Sequence, residues 1–216
     1  MNTFNLVMKE LANGFGLTLL IFVVTLALAI PLGMLVTMGS RCRWKPVRAV
    51  VQTLVWIIRG TPLMLQLFVV YYVPTMLFPK LNPIGEFGSV TIAFVINYSA
   101  YFSEIYRGGI AAIPVGQLEA CKVLGMTKMQ TFTHVVLPQV IKHIIPAMGN
   151  EIITLVKDTS LARTIGYAEL IFKGEQFLAD GLIWPVFFTA LYYLVMCGIL
   201  TLVFRFAEKK LNYYKG

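Results

Sequence analysis

The sequence predicts an all-α fold: a polytopic transmembrane bundle of five helices carrying a helical hairpin on its cytoplasmic side. Three observations point there. The chain of 216 residues is 58% hydrophobic and 13% charged, whereas soluble domains are near half apolar and a quarter charged. The apolar excess is concentrated: Gly14 to Ser40, Gly60 to Pro79, Phe87 to Ser103 and Gly181 to Phe204 contain no Asp, Glu, Lys or Arg. Backbone in hydrocarbon must satisfy its own hydrogen bonds, and these runs lack the alternation of barrel strands, so they are helices. The third observation is charge asymmetry within a net charge of +8. Arg41, Arg43, Lys45 and Arg48 follow the first run. Arg107, Lys122 and Lys128 follow the third, and Arg205, Lys209, Lys210 and Lys215 end the chain. The opposite side carries Lys9, Lys80 and Lys173. By the positive-inside rule the larger group faces the cytoplasm, which puts the N-terminus outside, the C-terminus inside and the number of spans odd.

The elements follow in order. Span 1 covers about 14–38; Ala27-Leu28-Ala29 mimics a signal cleavage site, but more membrane follows, so a cleaved leader is not expected. Span 2, about 47–77, is broken at Arg59-Gly60-Thr61-Pro62, because proline removes a donor and disfavours helix in the preceding residue. Pro79 to Gly88 is an outer loop with turn residues Asn82, Pro83, Gly85 and Gly88. Span 3 covers about 88–110. The mixed stretch 114–138 reads as a cytoplasmic helix-turn-helix: Pro114 starts it, Gly125 ends its first arm and Thr127 caps the second. Span 4, about 139–164, is the most polar. Glu169 to Leu182 is an outer segment with a short helix, and span 5 covers about 183–206. Together, residues 1–216 make one transmembrane domain.

Composition excludes several functions. The basic residues sort by topology, so nucleic-acid binding is not indicated. Cys42, Cys121 and Cys197 form no CxxC pair and read as packing residues, and His134 and His143 lack metal-site company. No GxxxxGK[ST] phosphate loop and no nucleophile–base set occurs, so the chain is not read as an enzyme.

Ionisable groups inside a membrane are costly and mark pathways or ion pairs. Asn97, Tyr101 and Glu104 share one face of span 3; Glu151, Thr154 and Asp158 share one face of span 4, with Lys157 adjacent and Arg163 beyond. With the broken span 2, these stripes are candidates to line a cavity for a zwitterion. Asp158 or Glu104 would accept its ammonium; Arg59, Arg163 or the helix N-terminus near Pro62 would hold its carboxylate. The alternative is that Glu104, Arg59, Lys157 and Glu151 pair among themselves, and that Thr159 and Ser160 bond their own helix. The candidate substrate-binding set is thus Arg59, Thr61, Asn97, Tyr101, Glu104, Asp158, Thr159, Ser160 and Arg163.

The hairpin reads Glu119-Ala120-Cys121, three residues, Gly125, nine residues, then Val135-Val136-Leu137-Pro138. This resembles the EAA signature of the membrane subunits of bacterial ATP-binding-cassette (ABC) importers, with Cys121 for the second Ala and Val135 for Ile. Arg59-Gly60-Thr61-Pro62-Leu63, Tyr101 to Ile110 and Lys157-Asp158-Thr159-Ser160-Leu161 are similar to the polar amino acid branch of that family. The resemblance covers nearly the whole chain. It implies a type I permease in a bacterial cytoplasmic membrane, paired with a second permease chain, identical or paralogous. It also implies a cytoplasmic ABC ATPase dimer binding ATP and Mg, and an extracytoplasmic substrate-binding protein. Glu119, Ala120, Cys121, Gly125, Leu137 and Pro138 would couple the chain to the ATPase. The competing reading is a stand-alone ion-coupled secondary carrier or channel; an odd span count without a repeat weighs against it. Both signs of charge in span 4 leave the amino acid open, with Arg163 favouring an extra carboxylate.

Overall fold

The computed structural model describes residues 3–78 and 84–211. Lys80, Asn82, Pro83 and Lys215 lie outside the described residues. Within them the order is α1 (Thr3–Ser40), α2 (Lys45–Arg59), α3 (Leu63–Leu77), α4 (Gly85–Ala111), α5 (Val115–Val123), α6 (Lys128–Gln130), α7 (Leu137–Asp158), α8 (Leu170–Ala179) and α9 (Trp184–Leu211). A π-helical stretch, Thr131–Val136, joins α6 to α7, and a 3-10 stretch, Thr159–Ile165, follows α7. There is no strand among the described residues.

Helix α4 is the axis of the packing. Its Phe94, Tyr98 and Phe102 are fully buried, against Ile21 of α1, Leu67 of α3 and Leu155 of α7. Lipid tails are as apolar as these side chains, so burial from lipid supplies little hydrophobic drive; close packing and interhelical hydrogen bonds decide the fit. Gly33 of α1 shows how close: a Cβ there would stand 2.9 Å from Phe102 Cβ and 3.1 Å from the Ser99 carbonyl oxygen. In the same interface the Thr37 hydroxyl donates to the Ser103 carbonyl at 3.0 Å, and the Tyr106 hydroxyl to the Ile30 carbonyl at 3.3 Å.

Helices α1 and α9 are each long and apolar enough to cross a membrane, and α2 with α3 forms a third such segment if taken as one bent span. The bend is 103°, so the broken span 2 of the sequence reading is a sharp corner rather than a kinked rod. Gly60 closes α2 through its N–H to the Trp56 and Ile57 carbonyls, and Pro62, with no N–H to give, starts α3. The helices also run beyond the expected spans. Helix α1 begins well before residue 14, and α4 takes in Gly85 and Gly88 from the expected outer loop. The second arm of the hairpin does not stop at Pro138. It winds through the π stretch straight into α7. Pro138 cannot donate to the His134 carbonyl, and a locally wider helix accommodates that loss. At the other end α7 leaves α geometry at Asp158, tightens to 3-10 and closes at Gly166, whose φ is +88°. Cys121 is buried, Cys42 and Cys197 are half-buried, and all three are free thiols.

Candidate functional site

The site begins at the corner between α2 and α3. A break inside a helix pair strands carbonyl groups, and Gln66 reaches back across the corner to satisfy them. Its amide nitrogen donates to the Ile58 carbonyl at 2.7 Å, the Thr61 carbonyl at 3.2 Å and the Thr61 hydroxyl oxygen at 2.8 Å. The Gln66 amide oxygen accepts from Asn97 Nδ2 at 3.0 Å, which fastens the corner to α4. Asn97 is buried, as such a structural link requires.

One turn along the same face of α4, Tyr101 lies under the Arg59 guanidinium, 5.1 Å from ring centroid to Cζ. Glu104 follows. Arg59 Nη1 stands 3.7 Å from Glu104 Oε2, and Arg107 holds the same carboxylate in a fork, Nη2 to Oε2 at 2.6 Å and Nε to Oε1 at 2.9 Å. Two guanidiniums therefore face one carboxylate, and the fork geometry makes Arg107 the stronger partner.

A second patch sits at the end of α7. The Tyr98 hydroxyl donates to Asp158 Oδ2 at 2.7 Å. Tyr98 and Tyr101 are ring neighbours at 6.4 Å, so the two patches adjoin. Glu151, half-buried, lies two turns before Asp158 on α7; Thr154 between them bonds the Asn150 carbonyl.

The structure thus brings Arg59, Thr61, Asn97, Tyr101, Glu104 and Asp158 to one side of α4. The remaining candidates have partners of their own. Arg163 forms an ion pair with Glu175 of α8. The Thr159 hydroxyl donates to the Val156 carbonyl and that of Ser160 to the Lys157 carbonyl, both 2.7 Å, within their own helix. Lys157 is not paired with Glu104 or Glu151 among the described residues. Tyr98 was missed in the sequence. It sits one position off the Asn97 stripe, and its only signal is that a buried tyrosine hydroxyl needs a partner.

Outside the spans, α8 is anchored by Glu169. Its carboxylate accepts the Ile171 and Phe172 N–H groups at 2.9 and 2.8 Å and the Tyr193 hydroxyl at 3.0 Å. Burial pushes this carboxyl above the usual carboxylate range, against the pull of those donors. Between α8 and the start of α1, Lys173 donates to Glu10 at 2.8 Å.

The hairpin is built by local rules. Helix α5 ends in a Schellman arrangement: Met126 N–H bonds the Cys121 carbonyl, Gly125 N–H bonds the Lys122 carbonyl, and Gly125 holds φ at +71°. Thr127 and Gln130 form a reciprocal capping box on α6. Gln139 Nε2 donates to Gln117 Oε1 at 2.6 Å, bracing α7 against α5. Glu119 and Ala120 face outward while Cys121 is buried, and Leu137 and Pro138 are exposed. Val123 and Leu124 at the tip are 88% and 77% exposed, an apolar knob in need of a cover. Among the described residues no group of His, Cys, Asp and Glu is placed to hold a metal.

Comparison with known proteins gives four findings. A family described as binding-protein-dependent transport system inner membrane component matches residues 29–213. The L-cystine transport system permease protein TcyB of Bacillus subtilis is 36% identical over 208 residues, 94% of this chain and 87% of that protein. The glutamine transport system permease protein GlnP of Escherichia coli is 32% identical over 206 residues, 94% and 93% of the two chains. Among solved structures, one described as an amino acid ABC transporter with histidines superposes with a TM-score of 0.85. It is 30% identical and aligns over 97% of this chain and 99% of that one.

Proposed function

This chain belongs to the binding-protein-dependent transport system inner membrane components, and on that premise we propose that it carries a polar amino acid across the bacterial plasma membrane as the permease subunit of an ABC importer. The observation that carries this reading is the hairpin. Its Glu119-to-Pro138 spacing folds into a protruding knob with bare Val123 and Leu124. The chain has no phosphate loop of its own, so energy has to arrive through a surface of this kind.

The cytoplasmic partner is an ATPase dimer that binds ATP and Mg; a second permease chain and an extracytoplasmic binding protein complete the assembly. Five crossings place the N-terminus outside and the C-terminus with the hairpin inside, supported by the basic residues at 41–48, 107–128 and 205–210. The π stretch makes the hairpin continuous with α7, so a push on the knob would rock α7 and the Asp158 end as one body. In the path, Asp158 takes the substrate ammonium, and Arg59 with the α3 N-terminus takes the carboxylate. Arg163 and its neighbours Thr159 and Ser160 act as supports.

Reconstituted vesicles test this. The chain with its ATPase and binding protein should accumulate labelled glutamine or cystine only when ATP is supplied on the hairpin side, and Leu124→Asp should abolish uptake without dispersing the membrane helices. Uptake by this chain alone on an ion gradient would favour the secondary-carrier reading instead.

A further inference from the structure

Helices α7 and α9 touch closely at Gly149, where a Cβ would meet Phe204 Cγ at 2.8 Å. Toward the end of α9 they part around Pro146 and leave a cleft of about 440 Å³. Lys142, Arg205 and Lys209 line it together with Ile145, Pro146 and Leu211, and Glu208 is the one acidic residue of the lining. Arg205 and Lys209 are exposed and make no ion pair among the described residues. The cleft therefore carries a net positive charge at the end of a helix long and apolar enough to cross a bilayer.

The surface leading to it is apolar. On α9, Leu194, Ile199, Leu202, Val203 and Phe206 are exposed by 56% or more. At the helical period they spread over roughly one half of the helix circumference, the half that also carries Arg205 and Lys209. A basic pocket at a helix end that continues into an apolar rail matches a ligand with an anionic head and hydrocarbon tails.

We propose that this cleft is a binding site for an anionic phospholipid, with Arg205 and Lys209 on the headgroup phosphate and the exposed apolar half of α9 along the acyl chains. The site is remote from the Arg59–Asp158 patches and stands independently of the amino acid assignment; it requires only that α9 span the membrane.

The test uses the complex purified with its ATPase partner and placed in nanodiscs of phosphatidylcholine containing a minority of phosphatidylglycerol, with retained lipid counted by native mass spectrometry. The wild type should retain phosphatidylglycerol preferentially. Each cation removed in Arg205→Gln and Lys209→Gln should weaken that retention by about fivefold. Removing more charge outside the cleft, in the triple variant Arg41→Gln/Arg43→Gln/Lys45→Gln, should leave it intact. Phe206→Ser, which keeps every charge, should also reduce it, and covers the case in which the cation variants fail to fold. Equal loss in the cleft and loop variants would overturn the proposal in favour of general surface charge. Displacement by inorganic phosphate alone would overturn it in favour of a free anion. Protection of Lys209 from amine labelling by the ATPase, irrespective of lipid, would overturn it in favour of a protein contact.

Discussion

The Tyr98 hydroxyl donates to the Asp158 carboxylate at 2.7 Å, joining the middle of α4 to the end of α7. Tyr98 is 1% exposed, so this bond cannot be exchanged for one to water. It fixes the aspartate that the transport proposal assigns to the substrate ammonium.

Two substitutions separate its structural and transport roles. Tyr98→Phe leaves a half-buried carboxylate short of a donor and should lower stability by about 1–3 kcal/mol. Asp158→Asn keeps an acceptor for the tyrosine and loses the charge. It should unfold within a few degrees of wild type, yet lose most uptake. Thermal unfolding in detergent and vesicle uptake, measured on both, check the split; an Asp158→Asn protein with full uptake would remove Asp158 from the proposed path.

Glu104 has two cationic partners of unequal quality. Arg107 grips it in a fork, whereas Arg59 stands at 3.7 Å with 42% of its side chain exposed. Double-mutant cycles should give an Arg59–Glu104 coupling of at most about 1 kcal/mol, with Arg107–Glu104 the larger. Arg59→Gln should therefore cost transport more than stability, because the arginine can leave Glu104 for a substrate carboxylate.

Gly33→Ala tests the α1–α4 contact. Its new methyl meets Phe102 Cβ and the Ser99 carbonyl, neither of which is a mobile side-chain tip. The helices must separate, at a cost of about 1–3 kcal/mol. A melting temperature equal to wild type would show the interface to be looser than this.

The Glu10–Lys173 pair between α1 and α8 gives a pH signature. The Lys173 hydrogen bond, then its charge, and lastly the charge of Lys9 hold the Glu10 carboxyl below its ordinary value of 4.5, against a small opposing effect of burial. A carboxylate depressed on folding adds stability above its unfolded pKa, and that contribution is lost as pH falls through the folded one. Glu10→Gln should cost less than about 1 kcal/mol at neutral pH, since the pair is partly exposed. Its difference from wild type should shrink below pH 4.5 and vanish in stronger acid, when unfolding is followed against pH.

The sequence by itself determined the helices and their punctuation. Where a helix starts or stops depends on residues within a few positions. Pro62 lacks a donor, Gly125 tolerates positive φ, and Thr127 reaches Gln130, so the corner, the hairpin turn and the cap were all legible in one dimension. The Asn97–Tyr101–Glu104 stripe was legible for the same reason, being a matter of helical period.

Partnership was not legible, because it depends on how helices far apart in the chain cross. Arg163 reads in the sequence as a candidate for the substrate, and only the tertiary structure shows that it pairs with Glu175 of α8. Tyr98 acquires its role only because α4 packs along α7, and Gln66 meets Asn97 only because α2 and α3 fold back by 103°. The identity of each polar group is set by the chain, whereas its neighbour is set by close packing across helices, which offers a buried donor one acceptor and denies it the rest.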